Sequence, residues 1–164
     1  MTQPPLLLDN DAVRRLLSLD ALLPAIEQAL IELSAGRVTQ PLRTVFELKE
    51  PGSLLFVKPA LVGDALATKL ITQVPGNPAR GLPTMIATLL LLDPASGQPL
   101  AVMDATWLTE LRTAAVSAVA YRMGGESRSA AKSGRCTTSN RVTVVTNCFM
   151  TNGSDTRVGR VNQA

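Results

Sequence analysis

The chain contains no histidine at all. That removes imidazole metal ligands, and with them Ser-His-Asp and Cys-His nucleophilic catalysis. Aromatic residues make up 3% of the sequence, too few to build stacking platforms for single-stranded nucleic acid. The two cysteines, Cys136 and Cys148, are separated by eleven residues and fit neither a C-x-x-C redox motif nor a zinc knuckle. No apolar run approaches ~18 residues, and the N-terminus carries prolines and acidic residues where a leader would have a basic end and an apolar core. Neither a membrane span nor a membrane partner is expected, and the chain reads as soluble and cytoplasmic.

What is present is aliphatic. With 164 residues, 46% hydrophobic and 18% charged, the chain has enough material for one domain with a real core. The net charge of +3 is unevenly placed: residues 124–164 carry +4 and residues 1–123 carry −1. The basic character therefore belongs to the tail and says nothing about what the domain binds. That tail has one aromatic, Phe149, and no basic helix, so no nucleic-acid partner is expected.

Along the chain, Leu6 to Leu8 give a short apolar entry, and Asp9, Asn10 and Asp11 offer a cap for a helical turn through Val13, Leu16 and Leu17. Leu23, Ile26, Leu30 and Leu33 form a helical stripe, with Pro24 near its first turn and Gly36 at its left-handed end. The period then changes to two, predicting strands over residues 43–48, 53–57, 66–73, 84–92 and 99–103. Pro51-Gly52 and Asp93-Pro94-Ala95-Ser96-Gly97 supply turns, and an irregular loop runs from Pro75 to Pro83. Short connections imply antiparallel neighbours. The last pattern, residues 104–122, is a long Ala-rich helix with Leu108, Leu111, Ala115, Ala118 and Val119 on one stripe. Thr106 is placed to cap it, Asp104 and Glu110 stand near its positive end, and Gly124-Gly125 ends it. The fold class expected is α+β: a mainly antiparallel sheet packed with helices and closed by that helix.

Arg112 stands among the small residues Ala114, Ala115, Ser117, Ala118 and Ala120, where a bound anion would suit it; it would equally pair with Asp104 or Glu110 across a helical turn. Taken singly, Arg43 reads as a surface charge and Thr84 as a strand opener. Lys69 reads either as an edge-strand charge or as a site residue on the apolar face it shares with Ala67 and Ile71.

Five segments change those readings when taken together: QPLRT (40–44), LATKL (66–70), PGNPARGLPT (75–84), LLLDPASGQPLAVMDATWLT (90–109) and RTAAVSA (112–118). In this order and spacing the first 122 residues resemble the ornithine cyclodeaminase/mu-crystallin family. The resemblance implies a substrate-binding domain over residues 1–123 that forms a homodimer through its sheet, followed in the family by a Rossmann domain that binds NAD(H) or NADP(H). It implies a small amino or imino acid as substrate, cyclised with ammonia loss, reduced as a ketimine, or interconverted by alanine dehydrogenation.

On this resemblance Arg43, Lys69 and Arg112 hold the substrate carboxylate and its α-carbon centre, with Lys69 catalytic through donation or proton transfer, and Thr84 and Arg112 approach the cofactor. The chemistry suits the residue types. Arginine grips a carboxylate through a planar fork, and a charge-assisted hydrogen bond contributes ~1.5–3 kcal/mol. No metal is implied.

The sequence also departs from the family pattern. No G-x-G-x-x-G occurs, so the pyrophosphate fingerprint of the cofactor domain is missing and stable nicotinamide binding by this chain is not expected. Lys58 stands before Pro59, where the family more often has methionine, and adds a cation near the site. Residues 124–164 change composition abruptly, as an aberrant or frame-shifted reading would. The chain therefore reads as the substrate half of an NAD(P)-dependent enzyme, inactive alone. The other reading is a non-catalytic protein that binds a small carboxylate. Loss of the following half predicts self-association through apolar surface on the helix of residues 104–122.

Overall fold

A central sheet of seven strands takes its order from hairpin connections. In the computed structural model, which describes residues 4–126, the elements in chain order are β1 (Leu6–Leu8), α1 (Asn10–Leu16), α2 (Leu19–Ser34), β2 (Val38–Thr39), β3 (Thr44–Glu47), β4 (Leu54–Val62), β5 (Ala65–Gln73), β6 (Met85–Leu92), β7 (Pro99–Asp104) and α3 (Thr106–Glu126). The tail readings, including those on Cys136, Cys148 and Phe149, lie outside the described residues. The fold is α+β, as expected. The sheet runs β1-β7-β6-β5-β4-β2, with β3 also on β4. All its pairs are antiparallel except β1 with β7.

Several boundaries differ from the sequence reading. The apolar entry at Leu6 is an edge strand, too short at three residues to display a period. β4 continues five residues past 57, through Lys58 and Pro59, because Ala60 and Val62 keep alternating into the core. Ser18 Oγ accepts from the Ala21 N–H at 3.2 Å, so α2 begins earlier than its stripe suggested and Pro24 lies inside it. The loop before β6 contains a single 3-10 turn, Asn77–Arg80. It closes on Gly81 at φ 72°, a left-handed position that suits glycine. Buried Asn77 holds that loop by donating through Nδ2 to the Pro83 carbonyl at 2.8 Å.

The start of α3 is capped differently from the expectation. Thr106 is its first residue, and the Asp104 carboxylate accepts from the Thr106 N–H at 2.7 Å, while Asn10 Oδ1 accepts from the Trp107 N–H at 3.4 Å. The helix also runs through Gly124 and Gly125 instead of ending at them.

Alternation splits the sheet cleanly. One face carries Phe56, Ala60 and Val62 of β4, Ala65, Ala67 and Ile71 of β5, and Ala87 and Leu89 of β6, packed with Val13 of α1 and with Ala105 and Leu108 at the start of α3. A second cluster joins α2 to α3 through Leu22, Ile26, Ala115 and Val119. Ala115 has no exposed surface, whereas Ala114 and Ala118 face outward, so only part of the small-residue helix is used in packing.

Candidate functional site

The site residues are set by sheet register. Lys69 sits mid-strand on the helix-covered face between Ala67 and Ile71, and only 1% of it is exposed. Its direct neighbours across the sheet are Lys58 on β4 and Leu89 on β6. Lys58 is 6% exposed. Directly opposed residues on antiparallel strands share a face, with Cα atoms about 4.5–5.5 Å apart. Two buried lysines therefore stand side by side.

Arg43 joins this row from the other side of β4. Thr44 pairs with Val57, so continuing that register by one residue sets Arg43 opposite Lys58. Its guanidinium lies over the Phe56 ring, 5.4 Å from the centroid, within the range of cation–π attraction. The segment 40–43 is the irregular gap between β2 and β3, both of which pair with β4. The edge of the sheet thus opens beside Lys58. Arg43, Lys58 and Lys69 span two strand spacings, about 10 Å.

Arg112 comes from α3. It lies one helical turn beyond Leu108, which belongs to the same core cluster as Ala87 and Leu89 of that sheet face. Arg112 is half-buried, and burial pushes its guanidinium down from the ordinary arginine value; arginine nevertheless stays protonated at neutral pH.

Thr84 is not brought to this row. It is exposed in the bend before β6, and its carbonyl accepts from the Val74 N–H at 2.8 Å. Gln73, the last residue of β5, is already four residues beyond Lys69, so Thr84 stands roughly 16 Å along the strand direction. It marks the strand end, not the cation cluster.

A shallow cavity of about 440 Å³ is lined by Leu7, Leu8, Asp9, Thr88, Val102, Met103 and Asp104. It lies at the β1–β7 edge and brings carboxylates instead of cations, so it is separate from the site. Among the described residues there is no cluster of three or more Cys, Asp or Glu side chains able to hold a metal ion, and no helix long and apolar enough to cross a membrane.

A family profile described as the ornithine cyclodeaminase/mu-crystallin family matches residues 4–130. The chain belongs to that family. The ketimine reductase mu-crystallin of Rattus norvegicus is 42% identical over 128 residues, covering 74% of this chain and 41% of its own length. An archaeal alanine dehydrogenase dimer with bound NAD superposes with a TM-score of 0.64 at 37% identity, over 68% of this chain and 34% of that one. The Thermococcus litoralis Delta(1)-pyrroline-2-carboxylate reductase, in complex with NADH and L-proline, gives a TM-score of 0.67 at 37% identity, over 71% of this chain and 37% of that one. The chain thus spans well under half the length of these ornithine cyclodeaminase/mu-crystallin relatives.

A nicotinamide dinucleotide needs a glycine-rich turn leading from a strand into a helix N-terminus that is free to take pyrophosphate. Two strand-to-helix junctions exist among the described residues, and acids occupy both. Asp9 Oδ1 accepts from the Ala12 N–H at 2.7 Å at the start of α1, and Asp104 does the same for α3. Like charge would repel a pyrophosphate from either. The described residues therefore do not fit that part of the cofactor.

Sequence reasoning reached Arg43, Lys69 and Arg112 through motifs. It saw Lys58 only as an extra cation near the site, and it missed Phe56 as the platform under Arg43. The signal for both was the β3–β4–β5 register, which a single strand does not reveal.

Proposed function

We propose that this domain holds the carboxylate of a small amino or imino acid between Arg43, Lys69 and Arg112, as the substrate half of a cytoplasmic NAD(P)-dependent imino acid reductase or cyclodeaminase. The observation that carries this reading is the burial of Lys69 on the core face of β5, in one row with Arg43.

Arg43, the residue before β3, and Arg112, on α3, offer planar donors that fix a carboxylate. Lys69 has three N–H donors at a point shielded from water, where it directs a hydrogen bond to the substrate or passes a proton to its nitrogen. The acid-capped helix starts favour a chain that binds substrate without turning it over alone. They also support the second reading, a non-catalytic carboxylate-binding protein.

Calorimetric titration of the full chain with pyrrole-2-carboxylate, a planar stand-in for a cyclic imino acid, tests the site. Saturable binding is expected, weakened about tenfold or more in Arg112→Ala. Absence of binding, or an Arg112→Ala affinity equal to wild type, would overturn the site. NADH oxidation with a cyclic imine by the isolated chain would overturn the claim that it does not turn over alone.

The outer face of the sheet, opposite the cations, is the proposed homodimer surface, as the dimeric state named for the archaeal alanine dehydrogenase suggests.

A further inference from the structure

Thr109 carries a hydroxyl that the fold leaves unused. The hydroxyls that follow it along α3 take the usual course for helical serine and threonine and bond back four residues. Thr113 Oγ1 donates to the Thr109 carbonyl at 2.8 Å, and Ser117 Oγ to the Thr113 carbonyl at 3.1 Å. Thr109 departs from this. Its Oγ1 is buried and has no hydrogen-bond partner among the described residues, although the Ala105 carbonyl, which accepts from the Thr109 N–H at 2.9 Å, stands four residues back. A buried hydroxyl without a partner is costly and calls for an explanation.

Its place on the helix supplies one. Trp107 meets Arg14 of α1, whose guanidinium lies 4.3 Å from the ring centroid, and Leu111 packs against the cluster that joins α2 to α3. Thr109 lies two residues from each, and at 3.6 residues per turn that puts it on the opposite flank of α3. Arg112 follows Thr109 by three residues, the spacing of neighbours on a helix surface. Helical side chains lean back over the preceding turn, so the Arg112 stem passes beside the Thr109 hydroxyl.

We propose that Thr109 is a positioning residue for Arg112: its hydroxyl accepts a hydrogen bond from the guanidinium and holds that group aimed at the bound carboxylate. This rests on the carboxylate site proposed above and deepens it. The bond forms as the guanidinium turns onto the carboxylate. Arg112 is also engaged within the chain. A guanidinium has five N–H donors and a carboxylate takes two of them in the parallel arrangement, so Arg112 can keep that engagement and still donate to Thr109. Fixing the rotation of the fork lowers the ordering cost of binding.

Calorimetric titration of the full chain with pyrrole-2-carboxylate tests this on two variants. Thr109→Val keeps the shape and removes the hydroxyl, while Thr109→Ser keeps the hydroxyl. Thr109→Val is expected to bind about fivefold more weakly, with an unchanged or raised thermal midpoint because no buried hydroxyl is left unsatisfied. Thr109→Ser should bind within about twofold of wild type. In the Arg112→Ala background, Thr109→Val should weaken binding no further. Equal affinity of Thr109→Val and wild type, or a loss that Thr109→Ser shares, overturns the positioning role. So does a loss that persists undiminished beside Arg112→Ala, since the hydroxyl would then meet the ligand itself. Should Thr109→Val fail to fold by circular dichroism, Thr109→Ala takes its place in the same comparison. Failure of the wild type to bind overturns the carboxylate site and the assignment of Thr109 together.

Discussion

Lys69 is buried on the face that carries the proposed site, and its parts in stability and in recognition can be measured separately. Only 1% of the residue reaches solvent, with Ala67, Ile71 and Leu89 as sheet neighbours. Truncating a buried polar side chain leaves the groups it meets unsatisfied, at about 1–3 kcal/mol. Lys69→Met should therefore lower the thermal midpoint and weaken pyrrole-2-carboxylate at least tenfold; a melt and a titration on the same sample check both. A lowered midpoint with intact binding would mean that Lys69 serves the fold. This residue was legible in the sequence because a lysine between Ala67 and Ile71 at period two breaks the apolar face. Lys58 was less so. Its neighbours Val57 and Pro59 give no hint of its face, and only pairing with β5 shows that it points to the core. Thr84, which the motif assigned to the cofactor and not to the carboxylate, lies apart from the cations at the exposed strand end, beside the loop pinned by Asn77.

Elements whose ends are fixed by local chemistry were legible, and those fixed by distant partners were not. The stripe at Leu23, Ile26, Leu30 and Leu33 located α2, and Gly36 at φ 70° closes it as expected, with the Arg37 N–H donating to the Glu32 carbonyl at 3.0 Å. β1 and β2 escaped notice because three and two residues hold no period; they exist through pairing with β7 and β4. The start of α3 is another long-range matter, since Asn10 reaches it from ninety-seven residues away. Asp104 supplies the nearer cap, so Asp104→Ala should cost about 1 kcal/mol of unfolding free energy, and Asp104→Asn much less, because either oxygen can accept from the Thr106 N–H. Urea denaturation of the two variants measures this. Equal losses would show that charge, not the cap hydrogen bond, is what the helix start requires.

Helices cover one face of the sheet and leave the other bare, which gives the molecule a direction. An antiparallel sheet facing water normally turns polar residues outward. Here the outward positions of β4 to β7 include Val57, Leu66, Leu70, Ile86, Leu90 and Val102, with Thr68, Thr72 and Thr88 among them; Leu70 is 38% and Ile86 39% exposed. The outward side of α3, by contrast, carries Thr113, Ala114, Ser117 and Ala118, with Tyr121 as its large exposed side chain. Large apolar side chains gather on the sheet more than on that helix, which supports the sheet as the proposed dimer surface. A contiguous apolar face of this kind marks an interaction surface, and a second copy satisfies it by symmetry. Leu70 lies between Val57 and Thr88 in the register, near the middle of the face. Leu70→Glu would bury an unpaired carboxylate at the proposed interface and weaken the dimer by about 3 kcal/mol or more, a hundredfold or greater rise in dissociation constant. Sedimentation velocity over a concentration series should show wild-type dimer and variant monomer, each with the same far-ultraviolet spectrum. If the wild type sediments as a monomer throughout, or the variant stays dimeric, the sheet is not where two copies meet. Because the cations lie on the opposite face, the monomeric variant should still bind pyrrole-2-carboxylate, which makes assembly and recognition separable in this fold.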